Sequence, residues 1–220
     1  MLTIIDDDGH SKFYTDLLPI IKSKKVPIST AIYNTSVGVA HNTMTWEQVA
    51  ECYENGAEIL SHSYDHADSE QVAEMTLEEI QHNDQMAKNE LLVRGYSGGK
   101  FIVYAGTTQT NDNVAKAAKN VYSCGINSTG NEMNFIDTLD PYHLKRYRIE
   151  VDYSYTSTDL DALIDTCKTD GGWMIWMIHT SGNAWNSAAA SAIGDAIDYA
   201  VAQGVQIVTV EAGCRKMGIT

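Results

Sequence analysis

The sequence has little of what divides or anchors a chain. No apolar run approaches the ~18 residues of a membrane-spanning helix, and no internal repeat or low-complexity tract is present. Only three prolines occur and no Pro/Gly-rich linker interrupts the 220 residues, so one domain covering 1–220 is expected. That length suffices for a large core, because area scaling gives about 10,000 Å² of folded surface against about 35,000 Å² unfolded, roughly 70% buried. Positive charge is scarce: 15 Lys and Arg against 29 Asp and Glu leave −14. This argues against nucleic acid or an anionic membrane as the main partner and suits a neutral or cationic substrate. Cys52, Cys124, Cys167 and Cys214 form no CxxC, which excludes a zinc knuckle or dithiol redox motif. Four buried free thiols are expected, although an even count leaves a disulfide open. Met1 runs straight into strand-like residues without a charged leader or apolar signal segment, so the chain reads as cytoplasmic or as an excised module of a longer exported, surface-associated protein.

What is present is organised around Ile4-Ile5-Asp6-Asp7-Asp8-Gly9. Two β-branched residues lead into three carboxylates and a turn-permitting glycine, the pattern of a strand emptying into a site. Adjacent acids repel, and the commonest compensating cation is a bound metal. Strand-like and helix-like runs then alternate to the end of the chain. Strands are expected at Thr3–Asp6, Pro27–Tyr33, Glu58–Ser61, Lys100–Tyr104, Tyr122–Ile126, Lys145–Val151, Trp173–Ile178 and Gln206–Val210. Seven or eight such units predict an α/β fold with a parallel sheet closed as a barrel. Capping boxes at Thr45-x-x-Gln48 and Thr76-x-x-Glu79 mark helix starts. Apolar spacing predicts a long helix from Gln71 to Leu92, continuous or broken once, with others at Asn113–Asn120, Leu160–Thr169 and Ala188–Gln203, the last ending at Gly204.

His62-Ser63-Tyr64-Asp65-His66 follows directly on a predicted strand, so both histidines stand on the barrel rim that the aspartates occupy. Two imidazoles four residues apart and one carboxylate make a ligand set with open positions, suited to Zn²⁺ and to other divalent ions. His179 closes the apolar run Trp173–Ile178 and reads equally as a core histidine.

On these residues the chain resembles the polysaccharide deacetylases (NodB homology), family 4 of the carbohydrate esterases. The family opens with Thr-Phe-Asp-Asp-Gly, against Ile5-Asp6-Asp7-Asp8-Gly9 here. Its His-Ser/Thr-x-x-His motif is matched by His62 to His66, and its Leu-x-His by Met177-Ile178-His179. The resemblance implies a distorted (β/α)7–8 barrel and one divalent ion, Zn²⁺ first and Co²⁺ or another as alternatives. Asp8, His62 and His66 would be the metal ligands, Asp7 the general base, His179 the general acid, and Ser63 a support of the metal loop. Asp6 stands where the family has an apolar residue, and its role is open.

The family's third motif is reduced to Phe101-Ile102-Val103-Tyr104-Ala105-Gly106, without its arginine and prolines. Tyr104 is a candidate substrate contact, and the Ala105 N–H can still face an oxyanion. Asp-x-x-Asp-Trp, the fourth motif, has no counterpart. Arg146, in Leu144-Lys145-Arg146-Tyr147-Arg148-Ile149-Glu150-Val151, is expected to replace the lost arginine beside Asp7. Trp185, in a Ser-Gly-Asn loop past His179, is the candidate sugar platform, whereas Trp176 reads as core. His10 is read as a rim residue, His82 as solvent-facing, and His41 and His143 as loop residues.

The implied activity is metal-dependent removal of acetyl groups from N-acetylated sugars of chitin-like, peptidoglycan or poly-N-acetylglucosamine chains. Two alternatives are O-acetyl ester hydrolysis on acetylated xylan, and a catalytically weak carbohydrate-binding module of the same fold in a larger surface or virus-tail protein.

Overall fold

The structure, a computed structural model, describes residues 1–39, 42–149, 155–181 and 185–219. Its strands form a closed barrel in sequence order: β1 (Leu2–Asp6), β2 (Ser29–Ile32), β3 (Glu58–Ser61), β4 (Phe101–Val103), β5 (Cys124–Gly130), β6 (Leu144–Arg148) and β7 (Met174–Ile178), with β7 pairing back onto β1. All the pairings are parallel, so every carboxyl end opens on one rim. The closure is uneven. β3 meets β4 through the single register pair Ser61–Ile102, and the β5–β6 register shifts between Ile126 and Gly130.

Strand alternation sorts the side chains into two layers. Ile5, Ala31, Leu60, Val103, Ile126, Leu144 and Ile175 fill the barrel. Leu2, Ile4, Ile32, Ile59, Trp176 and Ile178 face outward onto the helices. The outer layer is α1 (Leu18–Lys24, continuing a π-helical turn at Phe13–Leu17), α2 (Trp46–Glu54), α3 (Ser69–Ala73), α4 (Leu77–Val93), α5 (Asp112–Val121), α6 (Ser157–Asp170) and α7 (Ser187–Ala202). Both expected capping boxes form, at Thr45 and Thr76. The long helix expected from Gln71 to Leu92 is two helices, because an N-cap is extended: Thr76 has φ −71° and ψ 161°, and its oxygen accepts the Glu79 N–H.

The expected eighth strand at Gln206–Val210 is absent. Ile207 makes one isolated bridge to Leu2, and then Thr209 caps α8 (Val210–Lys216) by accepting the Ala212 N–H. The buried Glu58 carboxylate accepts the Val210 and Glu211 N–H groups at 2.6 and 2.9 Å, satisfying donors that a helix start leaves free. Glu58 opens β3, so α8 closes the barrel at the end away from the rim. A Cβ on Gly213 would lie 2.3 Å from the Trp173 ring, which allows only glycine at this contact. The part of the expected strand Lys145–Val151 at Glu150 and Val151 lies outside the described residues.

Asp84 on α4 is buried, and its Oδ2 meets no hydrogen-bond donor among the described residues. It lines a cavity of about 30 Å³ with Ile80, Ile102 and Val114. Burial, and then the neighbouring Asp65 charge, push its carboxyl up to about 8. Between pH 4 and 8 the folded chain therefore holds a proton that the unfolded chain has lost. Stability from this group is complete below the unfolded value and falls as pH rises towards 8, by up to about 5 kcal/mol. Asp84→Asn should flatten the decline measured by urea unfolding across that window and be the more stable protein at pH 8. Parallel pH profiles for the two proteins would contradict this.

Candidate active site

The rim is built from short post-strand turns with unusual backbone. Beyond β1 the Asp7 N–H still continues the ladder to Ile178 O at 3.0 Å, after which Asp8 and Gly9 turn at φ 75° and 65°. A Cβ on Gly9 would meet the Ile32 side chain at 2.6 Å, so the turn requires glycine. Ser63 and His66 also have positive φ, 65° and 56°, conformations that cost non-glycine residues energy and concentrate at functional sites. The Ser63 hydroxyl accepts the His66 N–H at 3.0 Å and tightens that loop.

These turns converge on one point. His62 Nε2 lies 3.4 Å and His66 Nε2 3.2 Å from Asp8 Oδ1. A tetrahedral ion with ligands at 2.0–2.1 Å spaces them by about 3.3 Å, so Asp8, His62 and His66 fit a divalent cation. His62 Nδ1 is 2.7 Å from the Val103 carbonyl, which only accepts. Nδ1 therefore carries a proton, and this bond fixes the ring so that Nε2 faces Asp8, the arrangement in which a histidine can ligate an ion. The Tyr33 ring packs on His66, with centroids 5.2 Å apart. Against the opposing effect of burial, the neighbouring imidazoles of His10, His62 and His66 hold Asp8 well below the usual carboxylate range. The bond to Asp8 raises His66 in return.

Asp7 points into the barrel, where Arg146 on β6 grips it with two bonds: Nη1 to Oδ1 at 2.8 Å and Nη2 to Oδ2 at 2.9 Å. Both side chains are buried. Burial alone would raise Asp7, but the guanidinium, followed by His62, overcomes it and keeps the carboxyl below its ordinary value. Asp6, one residue earlier, faces the opposite side of β1. It accepts the Thr180 N–H at 2.7 Å and hydroxyl at 3.2 Å, tying the residue after His179 to β1. Burial pushes the Asp6 carboxyl well above the usual carboxylate range, and its two bonds to Thr180 make it a structural tie. His179 Nε2 lies 4.0 Å from Asp8 Oδ2.

Asp7, Asp8, His62, His66 and His179 share a cleft of about 270 Å³ with Gly106, Thr107, Ser128, Arg148 and Met177. Two sequence-expected contacts lie elsewhere. Tyr104 is buried among Ile102, Val114 and Ala118 and donates to Tyr142 O at 3.0 Å, so its hydroxyl is spent inside the protein. Trp185 is buried, with its indole N–H on Asp16 at 2.8 Å, and cannot serve as an open sugar platform. Ala105 is buried beside the Asp84 cavity, and the cleft wall there begins at Gly106. His10 sits at the rim, bonded through Nδ1 to Asn42 O at 3.1 Å. His82 is exposed, and His41 lies outside the described residues. Arg148 went unselected from sequence, although it stands two residues past Arg146 on one strand and so shares its face. The Asp6–Thr180 tie left no sequence signal.

The family model for polysaccharide deacetylases matches residues 1–123, more than half of the chain. The chain belongs to the polysaccharide deacetylase family. No curated protein sequence matches it. Among solved structures, the chain is similar to the Xyl-CE4 domain of a multidomain xylanase from the hindgut metagenome of Trinervitermes trinervoides, with TM-score 0.65, 17% identity, and 100% of this chain and 91% of that one covered. A family 4 carbohydrate esterase from Streptomyces lividans, in complex with acetate, gives TM-score 0.64 at 12% identity over 95% and 92% of the chains. The Bc1960 peptidoglycan N-acetylglucosamine deacetylase gives 0.59 at 16% over 96% and 86%. At these identities the likeness is one of fold.

The buried Asp7–Arg146 pair also bears on stability. Arg146→Met leaves a buried carboxylate without its counter-charge and should destabilise the protein by about 3–5 kcal/mol. Adding Asp7→Asn should restore part of that loss, a coupling read from a double-mutant cycle of denaturant midpoints. Additive single effects would show that the pair is not the interaction described.

Proposed function

We propose that this deacetylase is a metal-dependent hydrolase that removes acetyl groups from N-acetylated sugars of a polysaccharide such as a chitin-like chain, peptidoglycan or poly-N-acetylglucosamine. The observation that carries the reading is the convergence in one cleft of a three-ligand set, a carboxylate gripped at both oxygens, and a histidine beside them. The cleft is small for a ligand pocket and suits one acetylated sugar unit, with the rest of the polymer outside.

Asp8, His62 and His66 would hold a divalent ion, Zn²⁺ as first choice, which would supply water of lowered pKa and Lewis acidity. The chain's own residues do the rest. Asp7, kept ionised and oriented by Arg146, takes a proton from the attacking water as general base. The Ala105 N–H, one residue before the cleft-lining Gly106, is the candidate donor to the oxyanion, although the Ala105 side chain is buried outside the cleft. His179 gives a proton to the departing amine, and Ser63 holds the loop that sets both histidines.

A second reading, O-acetyl ester hydrolysis on xylan, is supported by the likeness to a xylanase's esterase domain. It differs only in the leaving group that His179 would protonate. The binding-module reading is disfavoured, because a module without catalysis has no use for Asp7, Asp8, His62, His66 and His179 in one cleft. No helix among the described residues is long and apolar enough to cross a membrane, and a surface-associated module of a longer chain is the proposed setting.

Acetate release from N-acetylglucosamine oligomers and from acetylated xylan should be lost on chelation, return with Zn²⁺ or Co²⁺, and fall at least ~100-fold in Asp7→Asn. Faster release from the oligomers supports the amide reading, and faster release from xylan supports the ester. Release unaffected by chelation and by Asp7→Asn would overturn the mechanism.

A further inference from the structure

Two of the four cysteines lie together at the end of the barrel opposite the cleft. Cys124 opens β5 and Cys214 lies in α8, 90 positions further on, yet their sulfurs are 3.5 Å apart. Both are buried within the cluster formed by Trp173, Ile175 and Val210. The other two thiols have different neighbours: Cys52 Sγ is 4.0 Å from Met44 Sδ, and Cys167 Sγ donates to Met1 O at 3.2 Å. A disulfide needs sulfurs about 2.05 Å apart, and among these contacts only the 124–214 pair joins two thiols.

We propose that Cys124 and Cys214 are a cross-linking site, oxidised to a disulfide that fastens α8 to the barrel when the chain folds in the presence of a disulfide oxidant. The site has a structural use. The barrel closes with seven strands, and α8 covers the end where an eighth strand was expected. Apart from packing, α8 is held near its start, by the Glu58 carboxylate and by the Lys100 ammonium and Ser97 hydroxyl on Glu211. A bond from β5 to its far turn would fix both ends. The tie also reaches the cleft indirectly, since α8 packs on Trp173, which precedes β7, and β7 leads into His179.

The chemistry balances as an exchange. One cysteine, as thiolate, attacks a sulfur of the oxidant, releasing one thiol and forming a mixed disulfide. The second thiolate displaces the remaining half. Two electrons and two protons leave the pair, and one disulfide of the oxidant becomes two thiols. Burial and the neighbouring thiol hold Cys124 well above the ordinary thiol value in the folded state, so exchange belongs to the folding step, before α8 docks.

The test is refolding of the full chain from denaturant in a mixture of reduced and oxidised glutathione, followed by alkylation in denaturant and peptide mapping. Two alkylated cysteines, Cys52 and Cys167, are expected, together with a cross-linked Cys124–Cys214 peptide 2 Da lighter than its reduced parts. A Tm about 5–15 °C above that of the reduced protein should accompany it. The Cys52→Ala/Cys167→Ala variant should show the same cross-link and shift, which separates the pair from the other thiols. Four alkylated cysteines in protein that has regained its native circular dichroism would overturn the proposal, as would a bridge involving Cys52 or Cys167.

Discussion

Three adjacent carboxylates at the end of a buried strand are the constraint around which this molecule is arranged. Left alone they would repel and resist burial, and each is relieved differently. Asp6 takes two hydrogen bonds from Thr180, and burial holds its carboxyl above the usual range. Asp7 stays ionised against a buried guanidinium. Asp8 faces imidazoles at the spacing of a coordination shell. One strand thus yields a structural tie, a candidate base and a candidate metal ligand in consecutive positions.

Barrel geometry makes that division of labour work. Alternation along β1 sends Asp6 outward and Asp7 inward, and the same alternation on β6 sends Arg146 in to meet Asp7. Parallel closure puts the ends of β1, β3, β6 and β7 on one rim, so residues separated by up to 172 positions, Asp7 to His179, line one cleft. The backbone carries a cost there, in the left-handed conformations of Asp8, Ser63 and His66.

Much of this was legible because it is periodic or motif-borne. Alternating elements announced the barrel, the capping boxes located two helix starts, and the acid cluster with two histidine motifs pointed to the rim. Arg146 was reachable through the family resemblance, because the third motif here lacks the arginine that usually meets the family's aspartate. Legibility failed where tertiary contacts decide. Nothing local distinguishes Gln206–Val210 from a strand, since Glu58, 150 residues away, rewards a helix start there. Trp185 and Tyr104 looked available because a sequence does not show Asp16 or Tyr142 O waiting to accept their protons. The Asp6–Thr180 bond joins residues 174 positions apart and has no spacing to betray it.

The central claim is that Asp8, His62 and His66 form a coordination site, and calorimetric titration of Zn²⁺ into chelator-treated protein tests it most directly. One ion per chain is expected, binding more tightly as pH rises because His66 must lose its proton to coordinate, and at least ~100-fold more weakly in His66→Ala. Binding that is absent, or indifferent to that substitution, would contradict the account.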